Sequence, residues 1–211
     1  MIKFNNVTKK YGENSVIENA DFYIPLNKTT CILGDSGAGK TTLLNILAKT
    51  IEIDGGSIEN LPISSSYVFQ EHRLILNKTV MQNLTLFTGE KDVSKIQKFL
   101  DKVNLLDKQN AYVSTLSGGE KQRVNIVRAL IKNDGFILLD EPFNALDLSL
   151  KIKIANTLIS HFKSQNTTAV IVTHDVNMAE RLADEILIVK DKKVINLKNE
   201  NLTNAITKIL N

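Results

Sequence analysis

Apolar and polar residues alternate through the first thirty positions, in "IKFNNV" and "SVIENADFYI", a period of two that predicts short antiparallel strands. The pattern then changes. "CILGDSGAGKTTLLNILAKTI" runs from an unbroken apolar strand through a glycine-rich turn into a helix, with Leu43, Leu44, Ile46, Leu47 and Ile51 turned to the core. "DGGSI" predicts a turn back into strand. In "DVSKIQKFLDKVNLL", Val93, Ile96, Leu100 and Val103 recur at helical spacing, with Lys95, Lys98 and Lys102 among the positions between them. A further helix over 117–132 places Val124, Val127, Leu130 and Ile131 on one side. "FILLDEP" and "AVIVTHD" are continuous apolar runs, which suit parallel strands covered on both faces. "EILIVKDKKVINL" predicts a closing hairpin, and "NLTNAITKIL" a terminal helix. The expected architecture is α/β. A mostly parallel sheet carries an antiparallel β subdomain at the N-terminus and a small helical subdomain inserted at about 74–132, all within one domain over residues 1–211.

Composition narrows the class. Apolar content of 43% and charged content of 23% are those of an ordinary globular protein. A net charge of +3 is too small to argue for nucleic acid, and Lys190, Lys192 and Lys193 read as a solvated turn. The single cysteine, Cys31, excludes an internal disulfide, fits a reducing compartment, and reads as a small buried strand residue. No apolar run reaches the ~18 residues of a membrane span, and "MIKFNNVTKKYG" lacks the apolar core of a secretion leader. The expected location is therefore the cytoplasm, with any membrane reached through a partner.

Three apolar strands each end in polar chemistry, at Gly34, at Asp140 with Glu141, and at His174. Ligands of open parallel sheets bind beyond the carboxyl ends of the strands, so three distant segments predict one site. "GDSGAGKT" (Gly34, Asp35, Ser36, Gly37, Ala38, Gly39, Lys40 and Thr41, with Thr42 following) has the spacing of a phosphate loop. Its glycines let successive backbone N–H groups face phosphate oxygens at the positive end of a helix. Lys40 is placed to reach the β- and γ-phosphates and Thr41 to ligate Mg²⁺ through its hydroxyl. Asp35, an acid inside the loop, is expected to point outward. Asp140 supplies the metal side, and Glu141 is placed to polarise an attacking water. The guanine-specific N-K-x-D motif is absent, since "NKTV" ends in Val80, and ATP is favoured over GTP.

"LSGGE" poses a different question. Ser117 and Glu120 have the spacing of a capping box, yet Gly118 and Gly119 cost about 1 kcal/mol each against alanine inside a helix. They fit a helix start that another backbone or a phosphate approaches closely.

With these motifs in order, the chain resembles the ATP-binding cassette of an ABC transporter over essentially its whole length. "GDSGAGKTT" resembles the Walker A loop, "LSGGE" the signature, "FILLDEP" the Walker B strand, "NALD" ending at Asp147 the D-loop, His174 the switch histidine, Gln70 the Q-loop glutamine, and Tyr11 the aromatic residue that stacks on adenine. The resemblance implies two cassettes packed head to tail, each ATP lying between one subunit's phosphate loop and the other's signature. Ser117, Gly118, Gly119 and Glu120 would then face the partner's nucleotide. It also implies Gln70 near γ-phosphate and metal, coupled to the helical insert, and His174 on the γ-phosphate beside Glu141. Two departures stand out: Asn144 where many relatives have serine, and "PLNKTT" without the usual glycine before the nucleotide strand.

Chromosome-maintenance relatives carry long coiled coils, translation-associated ones two cassettes per chain, and exporters often fused membrane helices; this sequence has none of these. It resembles bacterial importer subunits. "VFQEHRLILNKTVMQNL" is similar to the nitrate, sulfonate and taurine group and to importers of thiamine precursors, with Leu76 and Asn77 at positions where that group has Pro-Trp. The implied partners are a second cassette in a homodimer, integral-membrane permease subunits and an external substrate-binding protein, placing the chain on the inner face of the cell membrane. The competing reading is a stand-alone cassette using ATP-driven dimerisation for assembly or regulation. A generic phosphoryl-transfer kinase leaves "LSGGE" unexplained.

Overall fold

The computed structural model describes residues 1–197. Along the chain run β1 (Ile2–Tyr11), β2 (Asn14–Ile24), β3 (Thr29–Leu33), α1 (Lys40–Leu47), β4 (Gly55–Glu59) and β5 (Ser66–Val68). Then follow α2 (Val80–Thr88), α3 (Val93–Lys102), α4 (Gly118–Lys132), β6 (Phe136–Asp140), α5 (Leu148–Gln165), β7 (Thr168–Val172), α6 (Val176–Leu182), β8 (Glu185–Lys190) and β9 (Lys193–Leu197). The expected terminal helix in "NLTNAITKIL" lies outside the described residues.

Strands β2, β1 and β4 form an antiparallel sheet in that order. The larger sheet has the order β5-β6-β7-β3-β8-β9, parallel except for the β8–β9 hairpin. Every residue of β3, β6 and β7 is buried. The two-residue period of a strand divides these side chains between two cores. Ile32, Leu138, Val170, Val172, Leu187 and Val189 face α1 and the N-terminal sheet, meeting Leu43, Leu44, Leu47, Phe4 and Ile17. Cys31, Leu33, Ile137, Leu139, Ala169 and Ile171 face the helical side, with Leu84, Ile96, Leu100, Val124, Val127 and Leu158. Strands covered on both faces can be apolar throughout, which is why the sequence showed unbroken runs there.

Two apolar residues at helix ends are less covered than their neighbours in the pattern. Ile51 lies beyond α1, which stops at Leu47 as Lys49 turns left-handed (φ 57°), and it packs only half-buried. Val93 is the first residue of α3, ahead of the turns that bury Ile96 and Leu100, and is 51% exposed. In each case the apolar spacing runs past the turns that have something to pack against. The missing glycine in "PLNKTT" has a physical substitute: Asn27 takes φ 58°, and its N–H donates to Thr168 Oγ1 at 2.8 Å. Asparagine tolerates the left-handed region better than other side-chain-bearing residues. Among the described residues, no helix is long and apolar enough to cross a membrane.

Candidate functional site

The sheet order brings the three chemical strand ends side by side, with β7 between β6 and β3. Their tips are joined by backbone bonds: Glu141 N–H donates to Val172 O at 2.9 Å, and Thr173 N–H to Ile32 O at 3.2 Å. Gly34, Asp140, Glu141 and His174 therefore emerge on one edge.

The loop from Gly34 to Gly39 leaves β3 with Asp35, Ser36 and Gly37 exposed and Ala38 half-buried, its N–H donating to Asp35 O at 3.2 Å. The outward position expected for Asp35 is what the fold provides. Gly39 precedes α1 with φ 106°, and a Cβ there would lie 2.7 Å from Val16 Cγ1. Only glycine satisfies both demands. Lys40 folds back over the loop, its ammonium donating to Gly34 O and Asp35 O, both at 2.7 Å. Thr42, half-buried, follows in the first turn of α1. Tyr11 stands half-exposed at the end of β1 opposite Asn14, its ring 5.5 Å from the Lys9 ammonium; Val16 of the same hairpin is what touches the loop.

Thr41 Oγ1 donates to Asp140 Oδ2 at 2.9 Å. Asp140 is 2% exposed, and its Oδ1 is buried without a partner. Burial raises its carboxyl pKa above the usual range and the Glu141 charge adds to this, while the Thr41 hydroxyl and Lys40 oppose it. Gln70 lines a cavity of about 290 Å³ with Thr41, Asn45, Tyr67 and Asp140. A hydroxyl, an amide and a buried carboxylate oxygen with an open lone pair form a hard-oxygen donor set that fits Mg²⁺.

Glu141 sits in the left-handed region (φ 49°), a strain of roughly 1–3 kcal/mol for a side-chain-bearing residue. Its Oε1 is 3.0 Å from His174 Nδ1, so the two side chains expected to act together form a pair. His174 is exposed and Glu141 largely covered. Sequence reasoning missed what braces this pair. Asp175 caps α6, accepting from Met178 N–H at 3.2 Å, and pairs at 2.9 Å with Lys151, one turn into α5. Asp147, the D-loop acid, is itself the N-cap of α5, accepting from Leu150 N–H at 3.0 Å.

The turn at Ser117 forms the expected capping box. Ser117 Oγ accepts from Glu120 N–H at 3.3 Å, and Glu120 Oε2 accepts from Ser117 N–H at 2.8 Å and from its hydroxyl at 2.9 Å. The Ser117 N–H holds the Glu120 carboxyl below its ordinary pKa. The two glycines have different reasons. A Cβ on Gly119 would lie 2.8 Å from Ala145 O and 3.2 Å from Leu146 Cδ2, so the chain's own D-loop demands this glycine. Gly118 is open, its nearest neighbour being His72 Nε2 at 4.0 Å from such a Cβ. Arg123 fastens the helix to the end of α3, donating from Nη1 to Val103 O (2.9 Å) and Asn104 O (2.8 Å).

Beside Gln70 a second cavity, about 430 Å³, is lined by Tyr67, Phe69, Phe87, Arg73, Arg128 and Lys132 among others. The Arg73 guanidinium stacks 3.6 Å from the Phe69 ring centroid, and Arg128 lies 4.9 Å from that of Phe87.

Residues 17–144 match the ABC transporter family. An aliphatic sulfonates import ATP-binding protein (SsuB 2) of Pseudomonas savastanoi pv. phaseolicola is 37% identical over 194 residues, covering 92% of this chain and 72% of that protein. One from Paracoccus denitrificans (SsuB 1) is 38% identical over 193 residues, covering 90% and 79%. Among solved structures, the dimeric bacterial ABC transporter cassette MJ0796 superposes with a TM-score of 0.83 at 30% identity, covering 95% of this chain and all of that one. A dimeric post-hydrolysis state of the same cassette, bound to ADP and Pi, gives 0.82 over the same shares. The phosphate loop, the carboxylates beyond β6, the histidine beyond β7 and the capped signature turn thus sit on a cassette fold, and the chain belongs to the ABC transporter family as an ATP-binding, ATP-hydrolysing subunit.

Proposed function

We propose that this subunit powers an importer as a pair of identical cassettes, docked beneath integral-membrane permease subunits on the inner face of the cell membrane and supplied by an external substrate-binding protein. The importer reading is supported by the relatives named for sulfonate import. The observation that carries the paired reading is the signature turn. Ser117 is exposed at a helix start whose inner contacts are the chain's own D-loop and His72, which leaves its outer side for another subunit's nucleotide.

In this reading residues 34–42 and Tyr11 hold ATP, with Lys40 turning from the Gly34 and Asp35 carbonyls to the β- and γ-phosphates. Mg²⁺, held by Thr41, Asp140 and Gln70, would supply neutralisation of phosphate charge. Glu141, oriented by His174, takes a proton from the attacking water as its oxygen bonds to the γ-phosphorus and the bond to the bridging oxygen breaks. Residues 74–132 act as the helical insert, and the cationic, aromatic groove around Phe69 and Arg73 receives a cytoplasmic helix of the permease.

Light scattering of Glu141→Gln with and without Mg-ATP, alone and with Ser117→Arg added, tests the shared site. The expected result is an ATP-dependent monomer-to-dimer shift that Ser117→Arg abolishes. A dimer that forms equally well with Arg at position 117 removes the signature turn from the interface. Glu141→Gln is also expected to bind ATP while hydrolysis falls by roughly 10²–10⁴-fold; near-native turnover would remove Glu141 as the base.

A further inference from the structure

The side chain of Lys9 is only 12% exposed, although lysine is seldom covered unless its charge is paired. Its ammonium lies 3.0 Å from Asp54 Oδ2 and 5.5 Å from the centroid of the Tyr11 ring, so a carboxylate and an aromatic face share one cation. Asp54, immediately before β4, is itself fixed by the backbone of β1. Its N–H donates to Thr8 O at 2.9 Å, and its Oδ2 accepts from Lys10 N–H at 2.7 Å. The Lys10 N–H first, and then the Lys9 ammonium, hold the Asp54 carboxyl below its ordinary pKa. Strand β1 is irregular here, with register shifts against β2 on both sides of Lys9. Irregularities of this kind re-aim side chains, and this one directs Lys10 N–H and the Lys9 ammonium to a single carboxylate. The same hairpin presses on the phosphate loop. Ile17, opposite Lys9, and Val16 come within 3.8 Å and 2.7 Å of where a Cβ on Gly39 would stand. Tyr11, two residues beyond Lys9 and 50% exposed, therefore offers an uncovered ring close to that loop. A free aromatic side chain has to be ordered when a base stacks on it, and that ordering weakens binding. Here a cation already rests against the ring.

We propose that Lys9 is a positioning residue for nucleotide binding: clamped by Asp54, its ammonium holds the Tyr11 ring ready to receive the adenine base. The role rests on the reading of Tyr11 as the residue that stacks on adenine. It differs from that of an ion pair that merely ties β1 to β4. Such a pair would support the sheet and leave ATP affinity alone, or disturb the hairpin and weaken base and phosphate binding together. A positioning role acts on the base and spares the phosphates.

The test compares KM and kcat for ATP with the inhibition constant of inorganic tripolyphosphate, which can occupy the phosphate loop and has no base. Lys9→Met, similar in length and uncharged, is expected to raise KM for ATP about fivefold, with kcat and the tripolyphosphate constant within about twofold of the parent. Lys9→Arg, able to pair with Asp54 and to stack on the ring, is expected to recover most of the loss. In a Tyr11→Ala background Lys9→Met should add nothing, because the ring it orders is gone. Tyr11→Ala with KM for ATP unchanged sinks the stacking reading and this role with it. Where Tyr11→Ala does raise KM, the Lys9 role alone is overturned by a Lys9→Met protein with native KM, or by one whose loss is the same with and without Tyr11. An equal rise in the tripolyphosphate constant overturns it too, since the loop itself is then disturbed, as does Lys9→Arg performing no better than methionine. If Lys9→Met does not fold, Asp54→Asn decides, because it keeps an acceptor for Lys10 N–H and removes the charge that clamps Lys9. It should raise KM for ATP by about twofold or more and spare tripolyphosphate, and an unchanged KM overturns the proposal.

Discussion

Asp140→Asn should abolish turnover and yet stabilise the nucleotide-free protein. Asp140 is 2% exposed, one oxygen takes the Thr41 hydroxyl at 2.9 Å, and the other has no partner. A buried acceptor left unpaired costs about 1–3 kcal/mol, more when charged. The amide keeps a partner for Thr41 at a loss of about 1 kcal/mol and leaves its NH2 unpaired where the free oxygen was, so what it gains is the removal of a buried charge. The net is a gain on the order of 1 kcal/mol at neutral pH, or a melting temperature higher by ~2–4 °C for a chain of this size. The pH dependence has a fixed sign. The folded-state pKa of Asp140 is raised, so the folded protein holds that proton more tightly than the unfolded chain. Its contribution is fully present below the unfolded pKa and is lost as pH rises through the folded one. The gap between variant and native should therefore be widest at neutral pH and narrow on acidification. Thermal unfolding in EDTA without nucleotide, at neutral and mildly acidic pH, measures this. Saturating Mg-ATP should reverse the order, because a ligand at a hundredfold excess over Kd adds about 2.7 kcal/mol to the protein that binds it. A variant that melts below native at neutral pH, or a gap indifferent to pH, would refute the reasoning.

Gly119→Ala pits helix propensity, about 1 kcal/mol in favour of alanine, against a Cβ placed 2.8 Å from the Ala145 carbonyl, an overpacking of typically 1–3 kcal/mol. The expected outcome is a lower melting temperature together with reduced ATPase activity, and a higher melting temperature would show that the D-loop yields freely. Arg73→Glu removes the cation stacked on Phe69 and should leave the ATPase of the isolated subunit intact while impairing assembly with a permease. Full assembly and transport by that variant would take Arg73 out of the docking groove.

The chemistry was legible because it depends on residue types at fixed short spacings: the 34–41 loop, Asp140–Glu141, the Ser117 capping box. The central strands were legible because burial on both faces writes an unbroken apolar run. What was hidden is informative. Strand β5 is three residues, too short to show a period. Helix α5 begins "LSLKIKIA", whose alternating apolar residues imitate a strand, and α6 is only seven residues long. The spatial order β6-β7-β3, which assembles the site, is a property of sheet pairing, and its β3–β7 pair joins segments more than a hundred residues apart. The contact of His72 with Asn125 was invisible for the opposite reason: each residue is ordinary by itself, and only the fold brings them together.

Several unfavourable features lie together at the end of β6. Glu141 and Ala145 both hold left-handed backbone (φ 49° and 61°), and Asp140 beside them keeps a charged oxygen in the interior. Each costs on the order of 1–3 kcal/mol. Strain at Glu141 aims its carboxylate at His174 instead of continuing the strand, and the turn at Ala145 carries the carbonyl that packs on Gly119. The Glu141–His174 pair and the Ser117 turn are thus linked through the 141–145 segment, which holds left-handed backbone at both of its ends. Relieving that strain locally would disturb both ends at once. A cation bound at the open Asp140 oxygen would offset part of that cost. Ligand occupancy and protection of the 140–147 segment from amide exchange should rise together, because a bound cation would satisfy the buried Asp140 charge at its start.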